Sequence, residues 1–259
     1  YTPEGKLIYK GGLVDWKKEG KGILFSKEGE KLQEGIFKDD SLFKGYSRTY
    51  WPGYGTVKYD GEYDNGYQEG KGKLYYTNGN LEYEGQFKSG RPHGTGVYYS
   101  ETEPNVKVYE GQFFKGQFSG KGTLYEKDRT YVGEFKFGKK NGKGTLRHNN
   151  PNIGLLFEGR FENDEFEEGM AYLRDENLKY TYIGNIKKGK YHGEGTKYYP
   201  NGQIEYEGGW AEGLYHGEGK KYNQQGIIEY EGGYDNGQYS GKGKLYKIEG
   251  EKQVLVYEG

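Results

Sequence analysis

YEGQFKSGRPHGTG, residues 83–96, decides the fold. Its first half alternates, so Tyr83, Gly85 and Phe87 share one face of a strand while Glu84 and Gln86 share the other. Lys88-Ser89-Gly90 then reads as a hairpin turn. Its counterpart Asp-Asn-Gly, at 64–66 and 235–237, is a strong signal for one. The return strand is expected to carry Gly94, Gly96 and Tyr98 on one face. A single stretch of this kind would also suit a phosphate cradle or a metal site; how often it recurs decides among these.

It recurs throughout the chain. The pattern Tyr-x-Gly-x-aromatic-x-x-Gly-x-x-x-Gly-x-Gly opens at Tyr9, Gln33, Tyr59, Tyr83, Tyr109, Tyr131, Phe157, Tyr182, Tyr206 and Tyr230, and an eleventh copy begins at Tyr257. Successive copies start 22 to 27 residues apart. A second turn, clearest in Thr-Asn-Gly at 77–79 and Pro-Asn-Gly at 200–202, leads into the next copy. Each copy is therefore two short antiparallel strands and two tight turns. The expected fold is all-β, an elongated single-layer antiparallel meander of about ten stacked hairpins, with no helical domain and one continuous array over 1–259. About twenty strands at ~4.8 Å each predict a sheet on the order of 100 Å long.

Composition agrees with a thin, repeated core. The 259 residues are 30% charged and 32% hydrophobic, a balance that ordinarily favours disorder, but 17% are aromatic and the 48 glycines are regularly placed. Glycine weakens a strand unless another group needs the space. Here it recurs beside rings: Tyr59 with Gly61, Tyr83 with Gly85, Gly94 and Gly96, Tyr109 with Gly111, Tyr131 with Gly133, Tyr182 with Gly184, Tyr206 with Gly208, Tyr230 with Gly232. Rings lying over bare backbone are the expected core. Two copies depart from the frame. At 33–45 and 157–169 the turn glycine becomes Asp40 or Asp164, the closing Gly-x-Gly is lost, and the next glycine, Gly45 or Gly169, reads as one position late. A local bend is preferred over a binding site there.

The chemistry that the sequence offers is mostly a by-product of the repeat. Residues 116–123 and 138–145 imitate a phosphate loop, but Gly122 and Gly144 separate the lysine from the threonine and no helical pattern follows. His93, His192 and His216 share one repeat position, which other copies fill with Glu19, Glu69, Ser119, Asn141 or Ser240. Equivalent positions lie two strands, ~10 Å, apart, so they do not converge on an ion. His148 stands alone in a loop. Cysteine is absent, and the Gly-x-Ser-x-Gly elbow and the calcium-loop spacing are also missing. No catalytic residue, metal, cofactor or small-molecule substrate is expected. The net charge of −1 gives no global attraction to nucleic acid, and no apolar run approaches the ~20 residues that span a bilayer. The chain opens at Tyr1 without a signal pattern and is read as a piece of a longer protein, compatible with a membrane-tethered or cell-surface one; its compartment is left open.

YEGQFKSGRPHGTG, YEGGWAEGLYHGEG (206–219) and YIGNIKKGKYHGEG (182–195) resemble MORN repeats, the membrane occupation and recognition nexus motif; YVGEFKFGKKNGKG (131–144) is similar, with Asn141 in place of the histidine. The resemblance runs from Tyr9 onward. It implies an extended antiparallel sheet and scaffolding, dimerising or membrane-associated roles. Many eukaryotic relatives attach a separate catalytic domain, and none is visible in this sequence. The fifth position of each copy carries Leu13, Phe37, Tyr63, Phe87, Phe113, Phe135, Phe161, Ile186, Trp210 and Tyr234, a mostly aromatic row. Tyr63, Phe87, Phe113, Phe135, Phe161, Trp210 and Tyr234 are expected to pack along the sheet while presenting one side of an interaction groove. The preferred function is a non-catalytic scaffold binding a protein partner or itself along that face. The alternatives are phospholipid binding, for which the basic stretch 136–143 is the modest support, and cell-wall glycan binding, for which tryptophan is sparse.

Overall fold

A computed structural model describes residues 1–249 and 252–259. Among these residues every regular element is a β-strand. The chain divides into two units, one of residues 1–125 with 135–138, the other of residues 126–134 with 139–259.

The first unit holds β1 (Tyr9–Val14), β2 (Lys17–Phe25), β3 (Lys31–Lys38), β4 (Ser41–Tyr50), β5 (Val57–Asp64), β6 (Tyr67–Tyr75), β7 (Leu81–Lys88), β8 (Arg91–Tyr99), β9 (Lys107–Phe114) and β10 (Gln117–Tyr125). Strand β11 (Arg129–Lys136) passes from the second unit to the first after Glu134. The second unit continues with β12 (Lys139–His148), β13 (Leu155–Glu162), β14 (Glu165–Arg174), β15 (Tyr180–Lys187), β16 (Lys190–Tyr198), β17 (Ile204–Ala211), β18 (Leu214–Tyr222), β19 (Ile228–Asp235), β20 (Gln238–Glu249) and β21 (Lys252–Glu258). From β1 to β10, and again from β12 to β21, each strand pairs antiparallel with the next in sequence. Each unit is thus a single-layer meander. Strand β21 carries Tyr257, the opening residue of the eleventh copy.

The hairpins close as expected. Lys88 pairs with Arg91, leaving a two-residue turn in which Ser89 has φ +50° and Gly90 φ +78°. Two consecutive positive φ values define the turn whose twist matches the flanking strands. Neighbouring hairpins are stitched at these turns: the Gly90 N–H donates to the Gln68 carbonyl at 3.0 Å, and the Gly237 N–H to that of Tyr215 at 2.9 Å.

Between turn and glycine pair, each regular copy carries a bulge. Gly85 faces Gly96 and Phe87 faces Pro92, so Gln86 alone opposes His93, Gly94 and Thr95. Such an insertion leaves polar backbone without its ladder partner, and side chains supply the bonds. The Tyr83 hydroxyl donates to the Gln86 carbonyl at 2.9 Å, and the Thr95 N–H donates to Gln86 Oε1 at 2.9 Å. The same pair of bonds recurs at Gln112 and at Glu134. Gly94 therefore parts from Gly96, contrary to the expected shared face. Its φ of +66° turns the direction of a missing side chain onto Gln86, whereas a side chain on Gly96 would strike Tyr83.

The two irregular copies are corrected as well. Gly45 faces Gly35, and Gly169 faces Gly159, so each takes the place of Gly96 and arrives one residue early rather than late. Their return strands lack one bulge residue: Phe37 faces Leu42 and Ile36 already faces Lys44. Where the opening tyrosine is lost, its bulge-capping hydroxyl goes with it. Gln33 instead donates to the fully buried Ser47 at 3.1 Å, and Phe157 faces the buried Ala171.

Candidate functional site: the ring face of the hairpins

Every regular copy contributes an opening tyrosine and a fifth-position side chain to the ring face, and these pack within the copy and against the neighbouring one. The opening tyrosine lies across the glycine pair. A Cβ on Gly85 would stand 2.5 Å from the Tyr83 hydroxyl, and one on Gly96 2.4 Å from it; the Gly208–Gly219 pair meets Tyr206 in the same way. Tyr59, Tyr83, Tyr109, Tyr131, Tyr182 and Tyr206 are fully buried as a result. The sequence reading of rings over bare backbone thus describes the core correctly.

The fifth-position row also belongs to this core, which departs from the expectation of a partly open row. Phe87, Phe113, Phe135, Phe161, Trp210 and Tyr234 are at most 5% exposed; Tyr63 is half-buried, and Leu13 is the exposed exception. They stand edge-on between opening tyrosines, as Phe113 does at 4.9 Å from Tyr83 and 5.2 Å from Tyr109. Edge-to-face contact is the favoured arrangement of such rings.

What covers them is a layer that sequence reasoning missed. The tenth residue of each copy, second in the return strand, lies over the opening ring. Phe118 stacks on Tyr109 at 3.9 Å and 9°, Tyr191 on Tyr182 at 3.8 Å and 11°, Tyr215 on Tyr206 at 3.8 Å and 13°, and Tyr239 on Tyr230 at 3.9 Å and 14°. Phe166 covers Phe157 at 3.8 Å with a 30° tilt. Elsewhere the position is Lys18, Leu42, Gln68, Pro92 or Lys140, the last with its ammonium 5.5 Å above the Tyr131 ring and 2.6 Å from Glu126. From Phe166 onward the position is aromatic in every copy. The second unit therefore carries a row of flat rings on β14, β16, β18 and β20, partly open to solvent and about two strand spacings, ~9.6 Å, apart.

Burial of the phenols has a titration consequence. Desolvation pushes Tyr83, Tyr109, Tyr131 and Tyr206 up to about 12, and Tyr59 and Tyr182 higher still. An unfolded tyrosine ionises near pH ~10. Because the folded values are raised, their contribution is fully present below pH ~10 and is lost as pH rises through the folded values. We expect phenolate absorbance to appear in two phases, the second coinciding with loss of the β circular dichroism signal between pH ~10 and ~12. A single phase at the unfolded value, with the β signal intact, would contradict the buried clusters.

The opposite face offers less chemistry. In the second unit a cavity of about 570 Å³ has a floor of glycine backbone and a rim that includes Glu194, Glu207, Glu218 and Glu231. Glu207 accepts from the Tyr222 hydroxyl at 2.5 Å, and Glu231 lies 3.7 Å from Lys220. Among the described residues, no group of three or more His, Asp or Glu side chains is placed to hold a metal. His93 packs against Phe114, and His216 lies 3.4 Å from Asp235. Among the described residues, no helix is long and apolar enough to cross a membrane.

A family model described as MORN repeat matches seven segments: residues 59–81, 83–102, 109–126, 131–150, 182–204, 206–226 and 230–251. Together they cover more than half of the chain. The copies opening at Tyr9, Gln33 and Phe157 fall outside the matches, and the last two of these are the copies with the shortened bulge. No curated protein matches the chain significantly.

Proposed function

The chain belongs to the MORN-repeat family, and on that premise we propose that it is a non-catalytic scaffold, binding a protein partner or a second copy of itself along the ring face of its hairpins. One observation carries the reading: Phe166, Tyr191, Tyr215 and Tyr239 recur as flat rings over the opening residues of successive copies and stay partly open to solvent. Tyrosine is well suited to such a surface, offering a large rigid ring and a polar tip at little entropic cost. The fifth-position residues contribute from beneath, holding the flat rings apart: Trp210 stands 4.8 Å from Tyr215, and Tyr234 5.4 Å from Tyr239. A phospholipid reading has weaker support, because Lys140 of the basic stretch is already engaged by Glu126.

The test compares the native chain with a Tyr191→Ser, Tyr215→Ser variant. Affinity capture and sedimentation velocity are run on both, after circular dichroism shows that the variant folds. A stoichiometric partner, or self-association, should be lost or weakened more than tenfold in the variant. Binding that survives unchanged would remove the ring face from the function, and retention on anionic vesicles alone would favour lipid.

A further inference from the structure

Polar groups reach the fifth position at Tyr63, Trp210 and Tyr234. The Trp210 indole N–H donates to the Gly195 carbonyl at 3.1 Å, and Tyr63 is only half-buried. The Tyr234 hydroxyl is buried and has no hydrogen-bond partner among the described residues, in a residue only 4% exposed. Leaving such a group unpaired is unfavourable, and phenylalanine serves at the fifth position in five other copies. A retained hydroxyl therefore points to a ligand.

Tyr234 lies at a cavity of about 300 Å³, which Tyr215, Tyr239, Lys221, Gly237 and Gln238 also line. Two flat rings of the outer row thus flank the opening, over a hydroxyl that can donate. Gln238 and Lys221 complete the lining, Lys221 being held by Glu229 at 3.1 Å. A fitting ligand brings a compact apolar ring to lie between the tyrosines and an acceptor for the Tyr234 hydroxyl.

We infer that the cavity between Tyr215 and Tyr239 receives a prolyl residue of a proline-rich partner segment, whose carbonyl accepts a hydrogen bond from Tyr234. The inference rests on the protein-scaffold reading and deepens it. A polyproline II helix turns every three residues and advances ~9.3 Å per turn. Copies recur at two strand spacings, ~9.6 Å. Prolines three residues apart would therefore meet successive platforms at Tyr191, Tyr215 and Tyr239. Tyr239, 48% exposed and stacked on Tyr230, is the wall that would have to shift for a carbonyl to reach the buried hydroxyl. Burial also holds the Tyr234 phenol well above the usual tyrosine range, so it stays a donor at neutral pH.

The experiment titrates a synthetic proline-rich peptide of about twelve residues, four polyproline turns, into the full 259-residue chain by calorimetry. Native protein should bind saturably. Tyr234→Phe keeps the ring, matches other copies and should bind about fivefold more weakly, the worth of one neutral hydrogen bond. Tyr215→Ser removes a wall and should weaken binding more than tenfold. No saturable binding, or equal affinity in Tyr234→Phe, overturns the assignment. A soluble β-linked oligosaccharide that binds with the same dependence on Tyr234, where the peptide does not, also overturns it and gives the cavity to glycan. If the peptide fails while partner capture still depends on the outer rings, only this inference falls. If capture is independent of them too, the scaffold face falls with it.

Discussion

Replacing Tyr206 by alanine is expected to cost about 4 kcal/mol, within the range for deleting a buried aromatic ring. Tyr206 is fully buried beneath Tyr215, meets Trp210 edge-on at 5.0 Å and Tyr234 at 5.3 Å, and donates to the Gly209 carbonyl at 2.9 Å. All four contacts vanish together, and the collapse needed to refill the space is opposed by the paired backbone of Gly208 and Gly219 below. Tyr206→Phe removes only the hydroxyl and should cost about 1–2 kcal/mol, because the bulge carbonyl loses its donor. Urea titration followed by tryptophan fluorescence measures both. The chain has three tryptophans, and Trp210 sits against the altered ring, so the local signal is readable. A loss below ~1 kcal/mol for alanine would mean that the opening tyrosines are not the core.

Gly85→Ala should destabilise by about 3 kcal/mol through overpacking. The new methyl group would stand 2.5 Å from the Tyr83 hydroxyl, 2.6 Å from Gly96 Cα and 2.6 Å from the Thr95 carbonyl. Two of those three are backbone of the paired strand, so no side-chain rotation relieves the clash. A contrast sits in the connector before β5. Gly53 also lacks a side chain, but nothing lies within 4 Å of the added carbon, and alanine there meets only the penalty of φ +78°, about 1 kcal/mol. Combining Gly85→Ala with Tyr83→Ala should recover part of the cost but not all of it, since the Gly96 contact survives. Full additivity in that double-mutant cycle would show that ring and glycine do not share one space.

Much of this was legible in the chain because each feature was tied to a residue type with few alternatives. Asn-Gly turns, Tyr-x-Gly and the two-residue alternation fix hairpins, faces and the ring-on-glycine core. The bulge was not legible. Gln86, Gln112 and Glu134 look like solvent-facing polar residues, and only the pairing register reveals that one of them opposes three. The same gap hid the meaning of Gly45 and Gly169, whose counting depends on a bulge one residue shorter. At the candidate site the face was readable and its surface was not. Burial of Phe87 or Trp210 requires a cover, and the covering position varies through Lys18, Leu42, Gln68, Pro92, Phe118 and Lys140 before becoming uniformly aromatic. A position so mixed leaves no consensus, although the run Phe166, Tyr191, Tyr215, Tyr239 was the available signal.

The bulge hydroxyl bond has a consequence for how such a chain arises. Tyr83 reaches a carbonyl three residues ahead, and the ring that covers Tyr109 lies nine residues ahead of it. The opening tyrosine, its bulge carbonyl and its covering ring thus sit within a single stretch of the chain, and a further edge-on ring comes from the next copy. Variation in copy length falls in the connectors, six residues at 51–56 but three at 126–128, and amounts to one residue in the two shortened bulges. A duplication or excision of about one period, wherever its cut falls, regenerates complete clusters at the seam. Copy number can then change without new core residues being invented, and the row of stacked rings lengthens or shortens by whole rungs.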